Sequence, residues 1–181
     1  MRVSKEKAAE NRERILTEAA RLFREHGLSG VGVDALTEAA GLTHGSLYSQ
    51  FGSKERLAAE ALHHALSTSS ARMGDAETLD DYVARYLSSD HRDRRGDGCA
   101  MAALAGEIPR QSVAIRHGFT NAVRAVMQRI AGLMPRRPAS EDEALAIVAT
   151  MVGALTLARA VDDPELSDRI LAAARTRLAS R

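Results

Sequence analysis

Apolar residues recur every three or four positions along most of this chain, which is the spacing of amphipathic α-helices. In residues 4–26, Ile15, Ala19 and Leu22 fall on one face, and charged residues occupy the opposite face. Gly27 follows directly, and glycine is the residue that most often ends a helix. No segment requires the strict alternation of a β-strand, so the pattern predicts an all-α fold.

Capping residues help to set the other boundaries. Ser140 and Glu143 form a capping box, and Asp163 precedes a proline at the first position of the last helix. Residues 89–97 are strongly polar and are predicted to form a loop. The predicted helices span residues 4–26, 34–40, 45–51, 53 onward, 79–88, 99–108, 112–134, 140–161 and 164 to the C-terminus.

The composition agrees with a helical globular protein. Aromatic residues make up only 3% of the 181 residues, which disfavours β-rich folds. The formal net charge of +1 identifies no partner, because only local clustering of charge can do so. The single cysteine excludes an intrachain disulfide and favours a reducing compartment. The N-terminus is charged, and the longest charge-free stretch covers only residues 144–158, so we expect a cytoplasmic protein without a membrane span.

Two short predicted helices, residues 34–40 and 45–51, are joined by a tight turn that begins at Gly41. This is the spacing of a helix-turn-helix. In the second helix, Leu47 and Phe51 are four residues apart and are expected to face the core. The outward set is polar and free of carboxylates, which suits the phosphate-lined groove of DNA. That set consists of His44, Gly45, Ser46, Tyr48, Ser49 and Gln50.

These residue types predict distinct contacts with double-stranded DNA. Phosphate contacts are expected from the side chains of Thr43, Ser46, Tyr48 and Lys54. Base-edge contacts are expected from His44, Ser49 and Gln50. Gly45 allows close approach of the backbone. Further phosphate contacts are possible from the basic N-terminal residues Arg2, Lys5, Lys7 and Arg12.

The segment AAGLTHGSLYSQFGSKERL, residues 39–57, resembles the signature of the tetracycline-repressor-like (TetR/AcrR) family of transcriptional regulators. The resemblance implies a homodimer of all-helical subunits. An N-terminal three-helix bundle, residues 1–52, would bind a palindromic operator. The larger helical domain, residues 53–181, would bind a small-molecule effector and pair with its twin through the last two helices. Repression with release by the effector is the expected mode of action.

Three positions depart from the family pattern, and one of them is Thr37, where the family often has Ala. Family members often carry Thr or Ser just before the first helix of the motif, whereas this chain has Gly32 in a Val-Gly-Val run. A frequent Lys or Arg after the turn is replaced by His44. We therefore expect one hydroxyl contact to be lost, and weaker or pH-sensitive DNA binding is a hypothesis.

The resemblance also places an effector pocket and a dimer interface in the C-terminal part. Candidate pocket residues are Tyr82, Tyr86, Met101, Glu107, Arg116, His117, Phe119 and Met127. Candidate dimer residues form apolar stripes at Ile147, Val148, Met151, Val152, Leu155, Ile170, Leu171, Ala174 and Leu178. The alternative is that these stripes close the core of the subunit itself.

Two other functions compete with the regulator hypothesis. The first is a helical small-molecule carrier or enzyme that has lost DNA binding, although no catalytic constellation stands out. The second is a redox or electrophile sensor acting through Cys99, which follows Gly98 near Arg94, Arg95 and His91. A packing role for Cys99 is the simpler interpretation. No metal site is expected, because His63 and His64 are adjacent and their side chains diverge on a helix. No cofactor is implied.

Overall fold

The computed structural model describes residues 5–72, 75–134 and 141–179, with the backbone alone at 69–72. Within these ranges the chain forms ten α-helices and two short 3₁₀ turns and contains no strand, which confirms the all-α prediction. The helices are α1 Lys5–His26, α2 Val33–Ala39, α3 His44–Phe51, α4 Lys54–Arg72, α5 Leu79–Tyr86, α6 Ser89–Asp93, α7 Ala100–Leu104, α8 Val113–Leu133, α9 Glu141–Ala160 and α10 Pro164–Ala179. Arg2, a predicted phosphate contact, and Ser140, a predicted helix cap, lie outside the described residues.

The polar segment 89–97 is the main error of the sequence prediction, because it is not a loop. It holds α6 and a 3₁₀ turn, Arg95–Asp97. The Ser88 hydroxyl caps α6 by accepting from the His91 amide at 3.1 Å. The predicted helix 99–108 is also shorter, since α7 ends at Leu104 and a second 3₁₀ turn spans Ile108–Arg110.

Backbone geometry explains the N-terminal turns. Gly27, Gly41 and Gly52 have φ values of +80°, +61° and +76° and end α1, α2 and α3. L-residues with a side chain rarely adopt this region, so these three stops need glycine. At the other end of the chain, the Asp163 carboxylate accepts from the Glu165 amide at 2.9 Å and caps α10 as predicted.

The helices enclose two adjoining cores. The N-terminal core holds Ile15, Phe23, Leu36, Leu47 and Phe51 and continues along α4 and into α7. The C-terminal core is built from α5, α7, α9 and α10 and the end of α8. The side chain of Leu66 on α4 packs against both cores. Helix α4 therefore joins the helix-turn-helix to the larger bundle.

Helix α9 is apolar on both its inner and its outer faces. By length and composition it could cross a membrane, a test that the core helix of a soluble protein also passes. Its predicted dimer residues Ile147, Met151 and Leu155 are buried inside the subunit, as is Leu171 of α10. They close the subunit core, which was the alternative interpretation. The outward apolar side chains are instead Leu145, Leu157 and Leu166.

Candidate nucleic-acid interface and interior cavity

The turn between α2 and α3 fixes the orientation of α3. After Gly41, the Leu42 amide donates to the Thr37 carbonyl at 2.9 Å. The Thr43 hydroxyl then caps α3 by accepting from the Ser46 amide at 3.3 Å. Leu47 and Phe51 are completely buried in the N-terminal core. Because these two anchors face inward, the opposite side of α3 faces solvent, as predicted.

The outward face of α3 is polar and open. Thr43, His44, Gly45, Tyr48 and Ser49 are exposed, with Tyr48 at 47%. Ser46, Gln50 and Lys54 are half-buried at its edge. A Cβ added at Gly45 would meet no described atom closer than the Thr43 hydroxyl at 3.9 Å. The fold itself therefore does not require glycine at this position.

Asp34 is a residue of this face that the sequence prediction missed. Its carboxylate lies 2.6 Å from His44 Nε2, so the N-terminal turn of α2 meets the first residue of α3. The expected carboxylate-free surface therefore has one acid at its border. The signal was present in the sequence, because Asp34 occupies the first turn of the other helix in the motif.

The Gln50 side chain does not point away from the protein. Its amide nitrogen lies 3.4 Å from the Ser46 hydroxyl, and its amide oxygen is buried without a hydrogen-bond partner among the described residues. The side chain must therefore rotate before it can reach a base edge. His44 and Ser49 are exposed without such a change.

The Arg12 side chain is turned towards the protein. Its Nη1 donates to the Gln50 carbonyl at 3.0 Å, and its Nη2 pairs with the Glu60 carboxylate. The guanidinium carbon lies 4.3 Å from the centre of the Phe51 ring. Lys5 and Lys7 remain exposed on α1.

A cavity of about 1330 Å³ lies between α4, α5 and α8 and is also lined by residues of the segment 90–101. Its walls are largely apolar and include the predicted residues Tyr82, Tyr86 and Met101, with Leu66 and Val126. Polar groups lie around it, including His63, Arg85, Asp90, Arg94 and Asn121. This volume fits a drug-sized molecule.

The other predicted pocket residues lie elsewhere. Glu107 accepts from the Ser29 amide at 3.2 Å and lines a smaller cleft of about 340 Å³ beside the end of α1. Arg116 and His117 are exposed on α8. Phe119 and Met127 pack against the cores. The structure thus brings together three of the eight predicted residues, and the rest of the lining comes mainly from α4, α5, α8 and the misassigned segment 89–97.

His91 organises the end of the cavity. Its Nδ1–H donates to the Tyr86 carbonyl at 2.7 Å, and its Nε2 accepts from the Cys99 amide at 3.0 Å. An amide N–H can only donate, so Nε2 carries no proton and the imidazole is neutral. Burial lowers the pKa of His91, which agrees with this tautomer. Arg159 holds the same turn by donating to the His91 carbonyl at 2.7 Å.

Tyr86 and Cys99 meet at this end of the cavity. The Tyr86 hydroxyl is buried without a well-formed hydrogen bond among the described residues, and the Cys99 thiol is its neighbour. Burial raises the pKa of Tyr86, and it raises the pKa of the adjacent Tyr82 to about 12. Cys99 is itself buried, and its amide contact is with the neutral His91. Sequence spacing did not reveal this arrangement.

Comparisons with known proteins agree with this geometry. Residues 15–61 match the family model described as bacterial regulatory proteins, tetR family. An HTH-type transcriptional regulator of Mycobacterium tuberculosis is 30% identical over 166 residues, which cover 82% of this chain and 84% of the relative. The transcriptional repressor AcnR of Corynebacterium glutamicum is 42% identical over 52 residues, covering 29% of this chain and 28% of AcnR.

The fold also matches solved structures. A TetR-family transcriptional regulator from Cytophaga hutchinsonii superimposes with a TM-score of 0.77 at 23% identity, covering 99% of this chain and 98% of that one. This similarity extends the match from the helix-turn-helix to the entire bundle. The family model and the mycobacterial relative together show that this chain belongs to the TetR family of bacterial transcriptional regulators.

Proposed function

We propose that the protein is a homodimeric repressor that binds a palindromic operator through α3 and leaves it when a small molecule fills the cavity. The observation that carries this proposal is the outward face of α3. It offers hydroxyl, amide and imidazole groups on a helix anchored by Leu47 and Phe51, with an uncovered glycine at Gly45. Repression is supported by the relative AcnR, a transcriptional repressor whose match covers 29% of this chain.

The proposed DNA contacts follow from exposure and chemistry. Hydroxyl groups of Thr43, Ser46 and Tyr48 and the ammonium of Lys54 meet phosphates. His44 and Ser49 face base edges in the major groove, and Gln50 joins them after its side chain rotates. The open Gly45 lets the backbone of α3 approach the sugar-phosphate chain.

The proposed dimer uses the outward faces of α9 and α10. Leu157 of α9 is 58% exposed, and Leu145 of α9 and Leu166 of α10 are also exposed. Small residues such as Gly153 permit close approach of a second copy. A two-fold dimer would place two copies of α3 in successive major grooves, about 34 Å apart.

The proposed effector is a largely apolar molecule with at least one hydrogen-bonding group. The apolar walls of the cavity favour such a molecule, and the buried Tyr86 hydroxyl is an available partner. Helix α4 forms one wall, through Leu66, and also packs in the N-terminal core. An effector that prefers a shifted α4 would therefore separate the two copies of α3 from their operator spacing, to the extent of its preference.

The test is selection of duplexes from a random DNA library by the full-length protein, followed by titration across salt concentrations. We expect a palindromic sequence and an affinity that falls steeply with salt, because phosphate contacts release counterions. Binding with no sequence preference would contradict the proposal. A protein that binds small molecules in the cavity but selects no duplex would instead support the carrier alternative.

The position of Cys99 favours a second mode of response, to electrophiles. Cys99 lines the same cavity, next to Tyr86. An electrophile that enters the cavity could add to the thiol, which would fix the occupied state covalently. Release of DNA by an α,β-unsaturated carbonyl compound should then be lost in Cys99→Ser. If the serine variant responds as the parent does, Cys99 is only a packing residue.

A further inference from the structure

Arg12 of α1 contacts both α3 and α4. We propose that Arg12 is a positioning residue for DNA recognition, which holds the C-terminal turn of α3 onto α4 without contacting DNA itself. The proposal rests on the proposed role of α3 in binding DNA. It assigns a function to a basic residue that the sequence analysis placed among the phosphate contacts.

The first contact satisfies the end of α3. The last carbonyl groups of a helix have no partner within that helix. Gln50 is the penultimate residue of α3, and its carbonyl accepts from Arg12 Nη1 at 3.0 Å. A charged donor makes a stronger hydrogen bond than a neutral one, and a cation at a helix C-terminus is favourable. Arg12 thus acts as an external cap for α3.

The second and third contacts fix the guanidinium group. It lies over the ring of Phe51, which is completely buried, at 4.3 Å from the ring centre. On α4, the Glu60 carboxylate pairs with Nη2. A guanidinium is planar and carries several donors, so it can stack on a ring and bridge two acceptors at once. A lysine ammonium cannot do both.

These contacts argue against a phosphate contact by Arg12. Both terminal nitrogens of Arg12 are engaged by acceptors. One face of the planar guanidinium is covered by the Phe51 ring, and the Glu60 carboxylate offsets the positive charge. The Arg12 side chain is 37% exposed, so it is partly covered by these contacts. Its position is therefore explained by α3 and α4 alone.

The anchor on α4 connects this arrangement to the cavity. One turn after Glu60, His64 lies 3.4 Å from the Thr17 hydroxyl of α1. On the same turns of α4, His63 and Leu66 line the cavity. A displacement of α4 caused by a molecule in the cavity therefore reaches the end of α3 through Glu60 and Arg12.

The experiment compares Arg12→Gln, Arg12→Lys and Glu60→Gln with the wild type, and uses Arg14→Gln as the matched control on an exposed position of α1. Hydrogen exchange is measured first, without DNA. We expect faster exchange of the amides of Ser49–Gly52 in the three variants and no change there in the control. Arg12→Lys should not rescue the loss. Unchanged exchange in α3 would overturn the proposal.

The second readout is DNA affinity, measured on the selected duplex and on a scrambled duplex. We expect the three variants to lose about tenfold or more in the ratio of specific to non-specific affinity, with the slope of affinity against salt unchanged. A phosphate contact predicts the opposite pattern. Arg12→Gln would then reduce the salt slope by about one, Arg12→Lys would rescue binding, and Glu60→Gln would strengthen it.

The two readouts separate this proposal from the proposed function. If the wild-type protein selects no duplex, the DNA-binding function fails, whereas the exchange data still decide whether Arg12 holds α3 onto α4. If the wild type selects a duplex and the variants retain its specificity, the positioning role fails while the function stands. Glu60→Gln leaves Arg12 in place and serves if the Arg12 variants do not fold.

Discussion

At the scale of single residues, a substitution at Gly45 should change the stability of the protein and its DNA binding in opposite directions. Gly45 lies within α3. The Cβ of an alanine at this position would lie 3.9 Å from the Thr43 hydroxyl, which is an ordinary van der Waals distance. Alanine is the better helix former by roughly 0.5–1 kcal/mol. A position where glycine costs stability and no described neighbour demands it is best explained by a partner that approaches from outside.

Gly45→Ala should therefore raise the free energy of unfolding by about 0.5–1 kcal/mol and weaken binding to the selected duplex. Gly132→Ala is the matched control, because Gly132 lies in α8 and an added Cβ meets no described atom within 4 Å. It should stabilise similarly and leave DNA binding unchanged. Chemical denaturation and DNA titration measure the two effects. Unchanged DNA affinity in Gly45→Ala would count against close approach.

His91 gives a pH dependence at the same scale. Burial lowers its pKa in the folded protein, while Arg159, Arg94 and Asp90 also face it and Cys99 donates to its Nε2. The unfolded chain therefore binds more protons than the folded one between the lowered pKa and the usual value near 6.5. Stability is fully present above that value and falls as the pH drops through this window.

Unfolding by denaturant between pH 5 and 7.5 should show this loss in the wild type. His91→Gln should flatten the curve and lower stability at neutral pH, since both ring hydrogen bonds are lost. His117→Gln, at an exposed position on α8, should keep the slope of the wild type. An unchanged slope in His91→Gln would place the pH dependence in another group.

At the scale of elements, the turn of the helix-turn-helix depends on one backbone conformation. Gly41 has a φ of +61°, and an added Cβ meets no described atom within 4 Å. Any loss of stability on substitution of Gly41 therefore comes from the backbone conformation and not from a steric clash. Gly41→Ala should destabilise the protein by roughly 1–2 kcal/mol, and Gly41→Asn should cost less because asparagine tolerates this region. Equal stability of the alanine variant in chemical denaturation would contradict this account.

The sequence predicted most helices because their caps and periodicity are local. Asp163 caps α10 as expected, and Thr43, at the end of the predicted turn, caps α3. Helix α6 was missed because its strongly polar sequence is typical of a loop. Its stability depends on distant contacts, such as the hydrogen bonds that Arg159 donates to the His91 and Arg92 carbonyls. No local pattern contains that information.

The candidate site, like the helices, was predicted where it depends on local spacing and missed where it depends on contacts between helices. The outward face of α3 follows from the spacing of Leu47 and Phe51 within one helix. The inward turn of Arg12 and the pairing of Asp34 with His44 depend on contacts between helices. The cavity lining mixes α4, α5 and α8, so only some of its residues could be chosen from the sequence.

At the scale of the whole molecule, the last two helices carry apolar side chains on both their inner and their outer faces. Their inner stripes, which include Ile147 and Leu171, close the subunit core. Their outer side chains, such as Leu157, are exposed, and in the proposed dimer they pack against a second copy. An apolar surface of this kind is typical of a protein interface.

Leu157→Glu should therefore produce monomers in sedimentation experiments while the subunit remains folded. Operator affinity should fall sharply, because each α3 would then bind its half-site alone. Val113→Glu is the control, since Val113 is 81% exposed at the start of α8. It should remain dimeric. A Leu157→Glu protein that stays dimeric would assign the interface to another surface.

The most direct test of the central claim is to locate α3 on DNA. Ser49→Cys, combined with Cys99→Ser, would carry a tethered DNA-cleaving reagent on the exposed face of α3. We predict cleavage at two sites on the selected duplex, related by two-fold symmetry and about one helical turn apart. Absence of cleavage while the protein stays bound, or equal cleavage along a scrambled duplex, would contradict the claim that this face reads DNA.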